Sequence, residues 1–296
     1  MSEKDAAANV VFRELQAKAR NEHRGNTQPL LVVYAIESFL RRLAISDYAG
    51  RMVLKGGMLM AANEIRRMTK DADLSTHGVG NGEDDLREVV SGICVLEPDP
   101  DDGIAIDPAS IRTERMREDA EYQGVRVGLV AGLGRAKIPF ALDLSFGDPG
   151  TWIEIELTSV VDRPAVRLAA YPLVLNLAEK IVTAMQRRET STRDRDFADL
   201  WVTSRLHALS ARDLRASVGS VAEHRGQPLI PLSAALRNIP DRQGPYAAMV
   251  DRMAYLAPPP GSWAELIADV IAFVDPLLAD EGGALLEWNT DALRWM

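Results

Sequence analysis

The first 45 residues carry apolar positions at helical spacing. Leu30, Leu31, Tyr34, Ile36, Leu40 and Leu43 fall on roughly one stripe, which sets Arg41 and Arg42 toward solvent. A short apolar run, Met52 to Leu54, then meets Gly56-Gly57. Leu59 to Ile65 returns to helix, and Asp71 to Ser75 predicts a short strand. Glu83 to Leu96 predicts an amphipathic helix that stops at the turn signal Glu97-Pro-Asp-Pro-Asp-Asp-Gly103. Alternation follows. Val125, Val127 and Leu129 alternate with Arg126, Gly128 and Val130; Phe140, Leu142, Leu144 and Phe146 with Ala141, Asp143, Ser145 and Gly147; Ile153, Ile155 and Leu157 with Glu154 and Glu156. Period two in three consecutive runs predicts a half-covered antiparallel or mixed sheet. From Pro172 the period becomes helical again, with Val174, Leu177, Ala178, Ile181, Val182 and Met185 on one face. Further helices are expected over 194–208, 211–223, 230–237, 245–256 and 262–279, with Pro258-Pro-Pro-Gly261 as a break.

These elements predict an α+β chain: an N-terminal helical layer, a small sheet and a helical C-terminal lobe, divided as 1–168 and 169–296. The length of 296 residues fits two such lobes. Apolar residues at 47% and charged residues at 26% exclude a disordered or collagen-like chain. No apolar run is long enough to cross a membrane and the first eight residues lack a signal core, so a cytoplasmic protein is expected. The single cysteine, Cys94, excludes an intrachain disulfide and reads as buried and inert. With 34 basic against 43 acidic residues the chain is no general nucleic-acid coat, although a locally basic cleft can still take RNA.

The chemistry concentrates in Leu54-Lys55-Gly56-Gly57-Met58 and Arg67-Met-Thr69-Lys-Asp71-Ala-Asp73-Leu. Two glycines entering a helix allow backbone N–H groups to approach a phosphate. Asp71 and Asp73 on a strand point to one face about 6.6 Å apart along the chain. Such carboxylates can share divalent metals about 3.5–4 Å apart in a phosphoryl-transfer centre. The same residues also fit a turn and a solvated strand. Asp143, on the polar face of its strand, is either a third functional acid or a sign of an edge strand. In the C-terminal half, Lys180, Ala184 and Arg187 share a helix face, as do Asp196 and Asp199. Local pairing of Arg195 with Asp199, and a solvated cluster of Arg187, Arg188, Arg193 and Arg195, are the plainer alternatives. The four histidines lack metal-ligand spacing, and zinc is not expected. His77 could line the cleft. The five tryptophans read as core or lobe-interface packing rather than base stacking.

Four blocks in this order, Lys55-Gly-Gly57, Thr69-Lys-Asp71-Ala-Asp73, Tyr171-Pro-Leu with Leu177-Ala-Glu-Lys180, and Ser191-Thr-Arg-Asp-Arg-Asp196-Phe-Ala-Asp199-Leu, resemble the AbiEii/AbiGii-type toxin nucleotidyltransferases, including the MenT-type toxins. The resemblance spans residues 50–200. It implies a DNA-polymerase-β-like nucleotidyltransferase core and transfer of a nucleoside monophosphate from an NTP. It further implies metal binding (Mg²⁺ or Mn²⁺) by Asp71 and Asp73, to which strand geometry adds Asp143 as a third, assisting acid. Lys55, Gly56, Gly57, Thr69 and Lys180 would bind nucleotide. Asp199, with Asp196, would orient Lys180 or act as general base. The implied acceptor is an RNA, a tRNA 3′ end, and the implied partner an antitoxin of the AbiEi type. Two departures stand out: Met58 where the family usually has Ser or Thr, and Ala72 where it has a larger apolar residue. The alternatives are NMP transfer to protein, a kinase, or an inactive regulatory partner. Thr69, two residues before Asp71, is expected at the cleft rim. A phosphate there would add about −1.5 to −2 charge and repel a triphosphate; equally, Thr69 could simply end the turn.

Overall fold

The computed structural model describes residues 3–65, 68–118, 122–253, 257–279 and 286–296. Arg67 of the motif and residues 254–256 of one expected helix lie outside them. The chain divides into two compact units. The first holds residues 1–62, 68–148 and 152–170; the second holds 63–67, 149–151 and 171–296.

In the first unit the expected N-terminal helix is two helices, α1 (Glu3–Glu22) and α2 (Gln28–Ala44), broken where Gly25 takes φ +81° and restarted with Pro29 in the first turn of α2. Then come β1 (Met52–Lys55), α3 (Gly56–Ala62), β2 (Asp71–Thr76), α4 (Glu83–Cys94), β3 (Ile104–Ile106), β4 (Arg112–Glu118), β5 (Tyr122–Leu133), β6 (Ala136–Phe146), β7 (Ile153–Leu157) and β8 (Val166–Ala170). One sheet runs in the order β3-β5-β6-β2-β1-β8-β7, with β4 also on β5. It is mixed: β2 lies parallel to β6 and β1 parallel to β8, while β1–β2, β5–β6 and β7–β8 are antiparallel. The alternation expected for β6 is present. Phe140, Leu142 and Leu144 are buried on the face that α2 covers, with Phe39 and Phe140 rings 6.5 Å apart.

Arg41 and Arg42 depart from expectation. Both are buried, and so is every residue of α2 from Leu30 to Leu43. Arg42 Nη1 lies 2.8 Å from Asp102 Oδ2, and its Nη2 donates to Ile104 O at 2.9 Å. Ser38 Oγ also donates to Asp102. Glu37 accepts from Ser159 Oγ at 2.6 Å and from the Val160 N–H. The polar side of α2 is thus roofed by loops whose backbone and side chains pair with its charges, although Arg41 Nη1 and Arg42 Nε find no hydrogen-bond partner there. Periodicity marks that side as polar but cannot see the roof.

The second unit is mainly helical: α5 (Leu173–Arg187), α6 (Asp194–Leu206), α7 (Ala211–His224), α8 (Leu232–Ala235), α9 (Gln243–Val250) and α10 (Trp263–Ala279). The helix expected over 230–237 is a single turn. A small sheet of β9 (Leu209–Ser210), β10 (Glu287–Asn289) and β11 (Arg294–Trp295) was not foreseen. It packs Trp288 and Trp295 on Phe273, ring centroids 4.7 and 5.5 Å away.

Candidate active site

The first unit's sheet has one apolar face, toward α2, and one polar face. On β2, Ala72, Leu74 and Thr76 are buried, while Asp71 and Asp73 take the other face and remain partly open. Register then brings residues distant in sequence into one line. Arg126 of β5 pairs with Asp143 of β6, Asp143 with Asp73 of β2, and Asp73 with Lys55 of β1. Two like charges stand side by side on neighbouring strands, which disfavours the sheet by itself. A cation flanks them at each end.

Side-chain contacts follow this row. Arg126 Nη1 donates to Asp143 Oδ2 at 3.0 Å and Nη2 to Asp71 Oδ2 at 3.3 Å. Thr69 Oγ1 donates to Asp71 O at 2.9 Å and to Asp71 Oδ1 at 3.0 Å. Both Asp71 carboxylate oxygens are therefore held. The Thr69 hydroxyl is spent on Asp71, and the residue is buried rather than displayed at an open rim. The Gly57 N–H points at Asp73 Oδ2, 3.4 Å away. Gly56 has φ +62°, and a Cβ there would overlap the Asp73 carboxylate. In this structure the two glycines thus let α3 close onto an acid. Met58 and Ala72 are both buried. Asp143 is not on an edge strand, since β6 lies between β5 and β2. The edge-strand explanation for a mid-strand Asp is removed.

Two participants carried no sequence signal of their own. Arg126 was visible only as the polar member of an alternating strand; its partner depends on register. Asp148, in a Gly-Asp-Pro-Gly stretch that reads as a turn, receives the Lys55 ammonium at 2.8 Å and the Ser145 hydroxyl at 2.5 Å. Burial alone would raise the Asp148 pKa. The Lys55 ammonium and the hydroxyls of Ser145 and Ser75 outweigh it and hold the carboxyl below its usual range. Lys55 is therefore turned to Asp148. His77 lies beyond Ser75, its Nε2 3.1 Å from Ser75 Oγ, and burial lowers its pKa. Cys94 is buried, with its thiol pushed up to about 12 by burial.

The second unit holds the other predicted group. Lys180 of α5 sits with Nζ 2.8 Å from Asp196 Oδ1 and 2.8 Å from Asp199 Oδ2, both on α6. The i, i+3 spacing puts both acids on one face, as expected. Asp199 is fully buried and pairs with Lys180 rather than Arg195. Arg242 grips Asp194 at the start of α6 through two hydrogen bonds of 2.6 and 3.0 Å.

Among the described residues no three His, Cys, Asp or Glu side chains converge closely enough to hold an ion as they stand. The donor chemistry nonetheless fits a hard divalent cation. Asp71 and Asp73 offer carboxylate oxygens on one face, Asp143 stands beside Asp73, and the place of a positive charge among them is taken by the Arg126 guanidinium.

The class these elements define is a nucleotidyltransferase fold. The structure is similar to that of MenT4, a nucleotidyltransferase toxin from Mycobacterium tuberculosis H37Rv, with a TM-score of 0.57 and 15% identity over 92% of this chain and 89% of that one. It also matches JHP933 from Helicobacter pylori at a TM-score of 0.46 and 14% identity, over 87% and 96% of the two chains. The family model described as nucleotidyl transferase AbiEii toxin, type IV toxin–antitoxin system, matches residues 38–271, and the chain belongs to that family. Membership implies an NTP substrate and an antitoxin partner. No curated protein matches the sequence. No helix among the described residues is long and apolar enough to cross a membrane.

Proposed function

We propose that this chain is a toxin that transfers a nucleoside monophosphate from an NTP to the 3′-hydroxyl of an RNA, a tRNA 3′ end, and so blocks translation. The observation that carries the reading is the row Arg126–Asp143–Asp73–Lys55 with Asp71 beside it. Adjacent acids on interior strands cost stability, and metal-assisted phosphoryl transfer accounts for them. Family membership supports the reaction class.

In this reading Asp71 and Asp73, with Asp143, hold Mg²⁺ or Mn²⁺. The ion's charge would neutralise phosphate oxygens and favour attack at the α-phosphorus. The RNA 3′-oxygen forms a bond to that phosphorus as the bond to the β-phosphate oxygen breaks. Pyrophosphate leaves, and the hydroxyl proton passes to a carboxylate or to water. Thr69 holds Asp71, and the Gly57 N–H holds Asp73. Lys180 neutralises the β- and γ-phosphates, and Asp196 and Asp199 fix its ammonium. The neutralising partner is an antitoxin of the AbiEi type, and both act in the cytoplasm.

The test is incubation of the purified protein with each labelled NTP, Mg²⁺ and total cell RNA or protein, followed by sequencing of RNA 3′ ends. Label is expected on RNA 3′ ends and absent from the Asp73→Ala variant. Label on protein would transfer the function to protein modification. A wild-type rate shared by Asp73→Ala would refute the metal role.

A further inference from the structure

Most tryptophans of the chain have packing duties. Trp288 and Trp295 pack on Phe273, and Trp263 packs against Phe197 and Tyr246. Trp201 donates its indole N–H to Asp269 Oδ2 at 2.7 Å and carries the Arg205 guanidinium 4.4 Å over its ring. Trp152, just before β7, is different. It is 40% exposed, although burying an aromatic ring is among the largest gains a side chain offers. It is also not loose. The His77 imidazole lies against it at 4.5 Å between centroids, with 35° between the planes. That imidazole is fixed in turn by the buried Ser75 hydroxyl. The indole is thus backed by one ring and still open to solvent, which lowers the ordering cost of stacking anything further on it.

Its position matters as much as its exposure. The His77 N–H donates to Arg51 O at 2.8 Å, which extends the β1–β2 ladder by one residue. His77 therefore follows Asp71, Asp73 and Ser75 on alternate positions, about 13 Å along the strand from Asp73. Lys55, in register with Asp73, lies close enough, with Asp148, to act electrostatically on His77. An aromatic platform whose backing ring stands on the polar face, four residues along the chain from Asp73, is suited to a base. Every base has a π-face, and aromatic stacking tolerates any sequence.

We propose that Trp152, backed by His77, is a stacking platform for a nucleobase of the single-stranded acceptor, held on the same sheet face as Asp71 and Asp73. The identity of the ligand rests on the nucleotidyl-transfer reading; the geometry of the platform does not.

The test uses the full chain without NTP and a fluorescein-labelled single-stranded RNA oligonucleotide, read by anisotropy. Trp152→Ala is expected to weaken binding about 5- to 150-fold, the weight of one stacked base. Trp152→Phe should stay within a few-fold of wild type. An oligonucleotide with abasic 3′ positions should bind wild type as weakly as the intact one binds Trp152→Ala. NTP affinity, read by calorimetry, should not change. Equal oligonucleotide affinity of wild type and Trp152→Ala overturns the platform while leaving transfer intact. Loss of NTP affinity alone overturns the acceptor assignment and gives the ring to the incoming nucleotide. A wild-type protein that neither binds the oligonucleotide nor labels RNA removes the function reading and the platform with it.

Discussion

Arg126 offers the sharpest way to probe the carboxylate row. Its guanidinium bridges Asp143 at 3.0 Å and Asp71 at 3.3 Å, so it stands where a cation is needed. A divalent ion that binds these acids must compete with it. Arg126 is 39% exposed, Asp71 30% and Asp143 17%, so each pair sits near the upper end of the surface range, about 1 kcal/mol. Together the two contacts oppose metal binding by about 1–2 kcal/mol. Arg126→Met keeps the apolar stem and removes the charge. The Mn²⁺ Kd of the NTP-free protein, measured by calorimetry, should tighten about 5- to 30-fold. Arg126→Lys should fall between, because a point charge cannot bridge two carboxylates as a planar fork does. Thermal stability in EDTA should drop for Arg126→Met, since Asp71 and Asp143 lose a counter-ion. Mn²⁺ should restore it, by about 2.7 kcal/mol at a hundred times Kd. An unchanged or weaker Mn²⁺ affinity in Arg126→Met would refute the competition and make the arginine a positioner of the acids instead.

Three further outcomes follow from other contacts. Lys180→Glu should weaken NTP binding far more than RNA binding, because it reverses the charge offered to the phosphates; equal loss of both in titrations would indicate misfolding of the helical unit. Asp102→Ala should cost about 3–5 kcal/mol in urea unfolding, because it strands the buried Arg42, whereas the double substitution Arg42→Met with Asp102→Leu should recover much of that loss. Asp148→Asn should destabilise the sheet unit by about 3 kcal/mol at neutral pH. The folded Asp148 carboxyl lies below its unfolded value of about 3.9, so its contribution is present above that pH and lost as pH falls through the folded value; a gap that persists in strong acid would contradict the ion pair.

The parts of the site that local spacing dictates were legible in the sequence. Asp71 and Asp73 share a face because a strand alternates, and Asp196 and Asp199 share one because a helix repeats every 3.6 residues; that both meet Lys180 on another helix is beyond spacing. What spacing cannot carry is register. Arg126 and Asp143 are 17 residues apart, and nothing local to either says they are opposite. Asp148 stands 93 residues from Lys55. The same limit explains the misplaced Arg41 and Arg42: a helix stripe tells which side is polar, not whether a loop covers it. The polar strand β4 shows little alternation, and β9, β10 and β11 are two or three residues long, too short for any periodicity.

The mid-strand Asp143 had two explanations in the sequence, and only topology separates them. On an edge strand a carboxylate costs little and discourages edge-to-edge pairing. On β6, between β5 and β2, that benefit is absent. The residue is instead held beside another acid, with an arginine brought in from β5 to make the pair tolerable. Lys55 stands at the other end of the row with its ammonium on Asp148, and the Gly57 N–H meets Asp73 beside Gly56, whose φ of +62° and closeness to that carboxylate leave no room for a Cβ unless the carboxylate shifts. The two acids of β2 are therefore held differently. Asp71 is met by the Thr69 hydroxyl and the Arg126 guanidinium, and Asp73 by the Gly57 N–H. A substitution at Arg126 should accordingly change how Asp71 and Asp143 meet a cation, whereas Gly56→Ala, which sets a Cβ against the Asp73 carboxylate, should displace that side chain.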